Sequence, residues 1–318
     1  MRILFFGTPE IALPSLERLI SGPFEVVGVV SQPDRPKGRG RSLSPSPVSE
    51  LALEAGIPLS RPESVGLARA ELAALTPDVG VVVAFGQFLP KPIRELPSCG
   101  FLINAHASLL PRYRGAAPIN HAILAGEKTT GVSVMRVDRE MDAGPVALRR
   151  EIEIGEHETA GELTDRMAQL AAEALETALA QIDDGSLRWT EQDHARANFA
   201  EKLTREMAAI DWSDTADAIA RRVRAFAPKP GAYTHLDGEP LRILAGESLS
   251  GTADQSPGIA DLEDGVKLRI ATGQGWFLPT RVQRAGGKEM PVDAFLRGRS
   301  IATGTRLGVV PGTGVEGG

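Results

Sequence analysis

Four short apolar runs in the first hundred or so positions, over residues 3–6, 26–30, 79–84 and 101–103, leave this chain few folds to choose from. None alternates apolar with polar, so each predicts a strand covered on both faces, the habit of parallel sheets. Between the first two runs Ala12, Leu16, Leu19 and Ile20 keep helical spacing, and Gly7-Thr8-Pro9 forms the turn into that helix. Pro14 is tolerated if the regular helix begins there, where no N–H donor is needed. Ser46, Pro47 and Gly56 should cap, start and stop a second helix over 48–55. A third is expected over 66–75. Strand, helix and strand in this order predict an α/β layer fold with a mostly parallel sheet.

Chemistry concentrates where the fourth run ends. Asn104 and His106 are two residues apart, so in extended backbone their side chains leave on one face. A carboxylate, Asp142, lies in the loop DREMDAGP just before Ala143-Gly144. An amide, an imidazole and a carboxylate at strand ends can carry acyl-group transfer with neither a metal nor a covalent nucleophile. Each also has a plain role: histidines beside strands are usually satisfied structurally, and Asp before Gly commonly caps a turn. Spacing alone leaves both open. Ligands of open α/β sheets bind outside the carboxyl ends of the strands, and Gly7, residues 85–90, Asn104, His106 and Asp142 are expected to meet there.

Strands are expected over 132–137 and 146–154, the second nearer an edge because charged residues alternate in it. Thr159 and Glu162 form a capping box opening a long helix with Leu163, Met167, Leu170, Ala174, Leu175, Leu179 and Ile182 inward, closed by Gly185. The polar stretch after it marks a boundary: a first domain over 1–188, a linker over 189–205, a second domain over 206–310 and a flexible tail over 311–318. Ser213 is expected to cap a helix ended by Pro228. Short strands over 232–236, 241–245, 266–271, 276–282 and 306–309, separated by Gly turns, then suggest a small β-barrel.

The formal net charge of -6 over 318 residues argues against a general nucleic-acid binder. One segment departs from that average: Arg35, Lys37, Arg39 and Arg41 fall within seven residues without an acid among them. Such a run is either a solvated charge loop or, because glycines interleave it, one that approaches phosphates closely. The single cysteine, Cys99, excludes an intrachain disulfide and a Cys-rich zinc site. No apolar run is long enough to span a bilayer and nothing at the start resembles a signal peptide, so a cytoplasmic protein is expected. Gly-x-Gly-x-x-Gly is absent, with Pro9 interrupting its place, which speaks against a nicotinamide-dependent oxidoreductase. His157, His194 and His235 lack ligand-like companions.

The pattern Asn-x-His-x-Ser-Leu-Leu-Pro-x-x-x-Gly with the Asp142 loop resembles the formyltransferases that use 10-formyltetrahydrofolate. Segments 6–10, 32–41, 44–48 and 108–119, with Lys202-Leu203, Ile210-Asp211-Trp212 and Arg224-Ala225-Phe226, are similar to the branch whose acceptor is methionyl-tRNA. The resemblance implies a Rossmann-like catalytic domain followed by a C-terminal OB-type barrel that binds tRNA. It implies Asn104, His106 and Asp142 as the catalytic set, and it leaves open whether Asp142 keeps His106 charged or takes a proton through water. It gives Ser108, Leu109, Leu110 and Pro111 to the folate site, with Phe85, Gly86, Gln87, Phe88 and Leu89 of the neighbouring loop. Arg35, Lys37, Arg39 and Arg41 go to the acceptor end of an initiator methionyl-tRNA, with Arg39 at the family's important loop position. Arg41 is followed here by Ser42 where relatives often carry further lysine, so the grip should be weaker. A monomer with a folate cosubstrate and no metal is expected. The alternatives are a formyltransferase for a small amine, such as glycinamide ribonucleotide or an amino-sugar nucleotide, and a catalytically idle RNA-binding protein.

Overall fold

A computed structural model of the chain describes residues 1–37, 42–263 and 267–308. Arg39, Arg41, the tail over 311–318 and the ends of the strands expected at 266 and 309 lie outside these residues, and of Lys37 only the backbone is described. In chain order come β1 (Arg2–Gly7), α1 (Leu13–Ser21), β2 (Glu25–Val30), β3 (Arg35–Lys37), β4 (Ser42–Ser44), α2 (Pro47–Glu54) and β5 (Leu59–Ser60). Then follow α3 (Arg69–Ala74), β6 (Val79–Val83), α4 (Lys91–Arg94), β7 (Leu102–His106), β8 (Arg114–Gly115) and α5 (Pro118–Ala125). Next come β9 (Thr129–Arg136), β10 (Val146–Glu153), α6 (Ala160–Asp183) and β11 (Phe199–Ala200).

Seven strands form one sheet in the order β10-β9-β7-β6-β1-β2-β5. The five from β7 to β5 are mutually parallel, as uninterrupted apolar strands demand, while β9 and β10 add an antiparallel margin. β10 is the edge, and its exposed Arg149, Arg150 and Glu151 suit it. Leu4, Phe6, Val30, Val82 and Leu102 pack with Val65, Leu72, Phe85 and Ile93 into one core cluster. The rings of Phe6 and Phe85 meet edge to face, 5.5 Å between centroids. Each such buried ring contributes about 1.5–3 kcal/mol.

Local signals worked as read at α2: Ser46 Oγ accepts the N–H of Ser49, Pro47 opens the helix, and Gly56 follows it at φ +67°. The fourth strand begins at Leu102 and runs on through His106, so Asn104 and His106 are strand residues. The helix expected over 66–75 divides into a 3-10 turn, Val65–Ala68, and α3.

The chain forms two compact units. The first comprises Met1–Pro118, Thr129–Glu153 and Thr164–Glu201. The second takes Ile119–Lys128, Ile154–Leu163 and the residues from Lys202 onward. Residues 189–201, expected within a linker, are instead built into the first unit: Thr190 exchanges backbone hydrogen bonds with Val146, and β11 pairs with β8. Polarity misled here because two of its polar side chains are spent on the first unit, Gln192 on the carbonyls of Asp142 and Gly144 and Asn198 on the N–H of Tyr113.

In the second unit α7 (Ala216–Phe226) precedes β12 (Ala232–Leu236), β13 (Glu239–Leu249), β14 (Ala260–Glu263), β15 (Lys267–Ala271), β16 (Trp276–Arg284), β17 (Glu289–Pro291) and α8 (Val292–Gly298). Thr215, not Ser213, caps α7, its hydroxyl accepting the N–H of Ala218 at 3.2 Å. Ser213 Oγ is engaged on Asp211 Oδ1 at 2.6 Å. The sheet order is β12-β13-β16-β15-β14, antiparallel throughout, with β17 on β16. Where a strand over 306–309 was expected, Arg306 bridges Ile259 and Leu307 bridges Leu236. One segment thus touches both edges of the sheet. No helix among the described residues is long and apolar enough to cross a membrane.

Candidate active site

The carboxyl ends of β1, β2 and β6 are tied together by side chains. Thr8 Oγ1 donates to Phe85 O at 3.0 Å, and Gln32 Nε2 donates to the same carbonyl at 3.0 Å. Gly86 follows at φ +80°, where any other side chain is strained, and a Cβ there would also crowd Gln32 Nε2 at 2.5 Å. Next along the sheet β7 delivers Asn104 and His106 to one face. Asn104 is partly exposed and, among the described residues, its amide makes no hydrogen bond within the protein. His106 is 6% exposed.

Both edges of the His106 ring are engaged. Nε2 lies 2.9 Å from the carbonyl of Tyr113, an acceptor only, so Nε2 carries a proton. Nδ1 faces Asp142 Oδ2 at 3.6 Å. That oxygen also accepts the backbone N–H of Gly115 at 2.8 Å. The turn after β7 is shaped for these contacts. Ser133, fully buried on β9, donates to Ser108 O at 2.7 Å and accepts the N–H of Leu110 at 3.0 Å. Tyr113 then takes φ +56° and Gly115 φ +116°, which turn the Tyr113 carbonyl and the Gly115 N–H toward the pair.

Asp142 does not reach the site from the edge where the parallel strands end. Because β9 runs antiparallel to β7, its loop leaves the sheet beside Leu102, where Val137 N–H meets Leu102 O at 2.9 Å. The loop must fold back along β7 to bring the carboxylate to His106. Asp142 stands at φ +52°, which Asp tolerates better than most residues. Gly144 makes the return possible, since a Cβ there would lie 2.1 Å from Arg136 O.

The positions expected around a folate divide. Phe85, Leu89 and Leu110 are buried, the first two in the sheet's core cluster and the third with Met135 and Val146. Their side chains are therefore unavailable to a ligand, and only their backbone remains on offer. Gln87 is also spoken for: Oε1 accepts Val65 N–H at 2.9 Å and Nε2 donates to Pro62 O at 3.0 Å. Ser108 Oγ donates to Arg112 O at 2.6 Å. Phe88, 70% exposed, is the open aromatic of the loop. Leu109 and Pro111 are partly exposed.

The basic loop springs from a two-stranded hairpin, β3 pairing with β4 through Arg35↔Ser44, Pro36↔Leu43 and Lys37↔Ser42. The exposed Arg35 donates to Gln32 Oε1 at 2.8 Å. Among the described residues no three His, Cys, Asp or Glu side chains gather as a metal site would need. Sequence reading missed Tyr113, Gln192 and Asn198. The first acts through its carbonyl and the others belong to a polar stretch with no periodicity, so no residue-type signal marks them.

Comparison with known proteins gives the chain's family. Residues 1–179 match the formyl transferase family and residues 202–300 match the formyl transferase C-terminal domain. Methionyl-tRNA formyltransferase of Pseudomonas fluorescens is 44% identical over 314 residues, covering 98% of each chain. That of Methylococcus capsulatus is 44% identical over 310 residues, covering 97% of this chain and all of the other. Among solved structures, the N-formyltransferase of Helicobacter canadensis in complex with folinic acid and dTDP-3-aminofucose superposes with a TM-score of 0.65 at 16% identity, over 91% of this chain and 99% of that one. HypX of Aquifex aeolicus in complex with tetrahydrofolic acid gives 0.62 at 19%, over 93% of this chain and 47% of that one. At these identities the structures speak to the fold alone.

Proposed function

The chain belongs to the methionyl-tRNA formyltransferases, which transfer the formyl group of 10-formyltetrahydrofolate to the α-amine of methionyl-tRNA, and on that premise we propose how its own residues do so. The observation that carries the reading is the His106–Asp142 pair at 3.6 Å beside the unspent amide of Asn104.

The methionyl amine attacks the formyl carbon in its uncharged form, and negative charge gathers on the formyl oxygen. Asn104 Nδ2 donates to that oxygen. With the Nε2 proton held by Tyr113, the donor His106 has left is Nδ1–H, which exists only on the imidazolium. At 3.6 Å the Asp142 contact is electrostatic rather than a hydrogen bond, which leaves the Nδ1–H donor for the oxygen. The amine's proton must end on the folate nitrogen as the C–N bond breaks. Asp142 serves either as counter-charge to His106 or as relay for that proton through water. The chemistry calls for no metal.

For the acceptor, the hairpin of β3 and β4 with Arg35, Lys37, Arg39 and Arg41 would grip the end of an initiator tRNA, neutralising its phosphates. The antiparallel sheet of the second unit would hold the stem, as OB-type barrels do. Phe88, Leu109 and Pro111, with backbone from the 85–89 and 108–111 turns, would line the folate. The enzyme would act as a monomer in the cytoplasm.

Single-turnover transfer from 10-formyltetrahydrofolate, with charged initiator methionyl-tRNA and glycinamide ribonucleotide offered in parallel, tests the reading. Transfer to the tRNA alone is expected. Transfer to the small amine alone would overturn the assignments of loop and second unit while keeping the active site.

A further inference from the structure

The polar stretch after α6 reaches into the catalytic loop through one side chain. Gln192 is 5% exposed. Its Nε2 donates to Asp142 O at 2.8 Å and to Gly144 O at 2.7 Å. Its Oε1 accepts from Arg114 Nη2 at 2.7 Å and Nε at 3.2 Å. Arg114 is 4% exposed and has no ion-pair partner among the described residues, its Nη2 otherwise meeting His194 Nδ1 at 3.1 Å. A buried guanidinium cannot face N–H groups, and two carbonyls cannot face an oxygen, so the amide has one admissible orientation. Its two ends join the strand that supplies Gly115 to the loop that supplies Asp142.

Asp142 needs such a hold. Left-handed backbone is unfavourable for a non-glycine residue and persists where neighbours enforce it. Both Gln192 donations fall on this turn, one on the carbonyl of Asp142 itself. Asn198 does a matching service opposite, its Oδ1 accepting the N–H of Tyr113, whose carbonyl holds His106.

We propose that Gln192 is a positioning residue for formyl transfer, holding Asp142 in the one backbone conformation from which its carboxylate faces His106. The inference rests on the catalytic reading of Asp142. Gln192→Ala lowers kcat by about 10- to 100-fold, with KM for both substrates within about twofold of wild type. Gln192→Glu keeps an acceptor for Arg114 but loses both donors and sets a carboxylate against two carbonyls. It should lose kcat similarly, while the ion pair it gains with Arg114 offsets part of that repulsion in the melting temperature.

A double-mutant cycle with Asp142→Asn, run under single-turnover conditions, separates positioning from general damage. In the Asp142→Asn background Gln192→Ala should cost less than about threefold. The ¹⁵N shifts of the His106 ring give the same answer without turnover, since Gln192→Glu should move them toward their Asp142→Asn values. Equal losses in both backgrounds, wild-type kcat in both Gln192 variants, or unmoved ring shifts would overturn the inference. Full activity of Asp142→Asn alone would instead overturn the catalytic reading beneath it.

Discussion

Asp142 uses a single carboxylate oxygen, Oδ2, both to accept the Gly115 N–H at 2.8 Å and to face His106 at 3.6 Å. Shape and charge can therefore be separated at this residue. Asp142→Asn keeps an oxygen for Gly115 and removes the negative charge beside the imidazole. It should fold and bind both substrates as wild type does, yet lose about 10²-fold or more in the transfer step, as single-turnover rates would show. A loss confined to KM would contradict the role.

Asn104 is the complementary case, an amide with its donors unspent on the protein. Asn104→Ala should cost about 10²- to 10³-fold in kcat, the usual effect of deleting one oxyanion donor, with little change in thermal midpoint. A stability loss without a kcat loss would make it structural.

Phe85 and Phe88 lie three residues apart on one loop and should behave oppositely. Phe85, 2% exposed against Phe6, is core, and Phe85→Ala should destabilise the fold by about 3–5 kcal/mol in urea unfolding. Phe88→Ala should change stability by no more than about 0.5 kcal/mol and instead raise KM for the folate. Equal folate KM in Phe88→Ala and wild type would remove that residue from the site.

Cys99 donates to Phe101 O at 3.3 Å, and burial pushes its thiol up. The thiolate, which is the reactive form, is thus scarcer than in the unfolded chain at neutral pH and returns as pH rises. Labelling with a disulfide reagent at pH 7 should be slow in the native enzyme and fast in denaturant. Rapid native labelling would refute the burial.

Arg39→Ala should raise KM for methionyl-tRNA well beyond any change in folate KM, and the effect should shrink as salt is added. Comparable losses for both substrates would count against the tRNA assignment.

The parts legible in sequence are those where one residue type has one use. Uninterrupted apolar runs became the parallel sheet, and Thr159 and Glu162 formed the expected box, Glu162 accepting Thr159 N–H at 2.9 Å. Asn104 and His106 could be paired because strand period alone puts them on one face. Competition between equals was not legible: Ser213 and Thr215 are both good caps, and Asp211 decided between them by engaging Ser213. Nor were partners that act through backbone or from afar. Tyr113 contributes a carbonyl, and Gln192 meets Asp142 across 50 residues of sequence. Short polar strands such as β14 and β17 are held by their neighbours in the sheet and leave no periodic trace.

The second unit borrows Ile119–Lys128 and Ile154–Leu163 from the middle of the chain, and this sets an order of events during synthesis. Asn120 donates to Ala225 O, 105 residues downstream, and Gly161 N–H to Ala227 O. At about 5–20 residues per second, Asn120 is synthesised roughly 5 to 20 s before that carbonyl exists. The nascent chain must carry those two segments unpartnered for that interval. A gene cut at residue 201 would for the same reason yield two incomplete products, one with surplus segments and one lacking them.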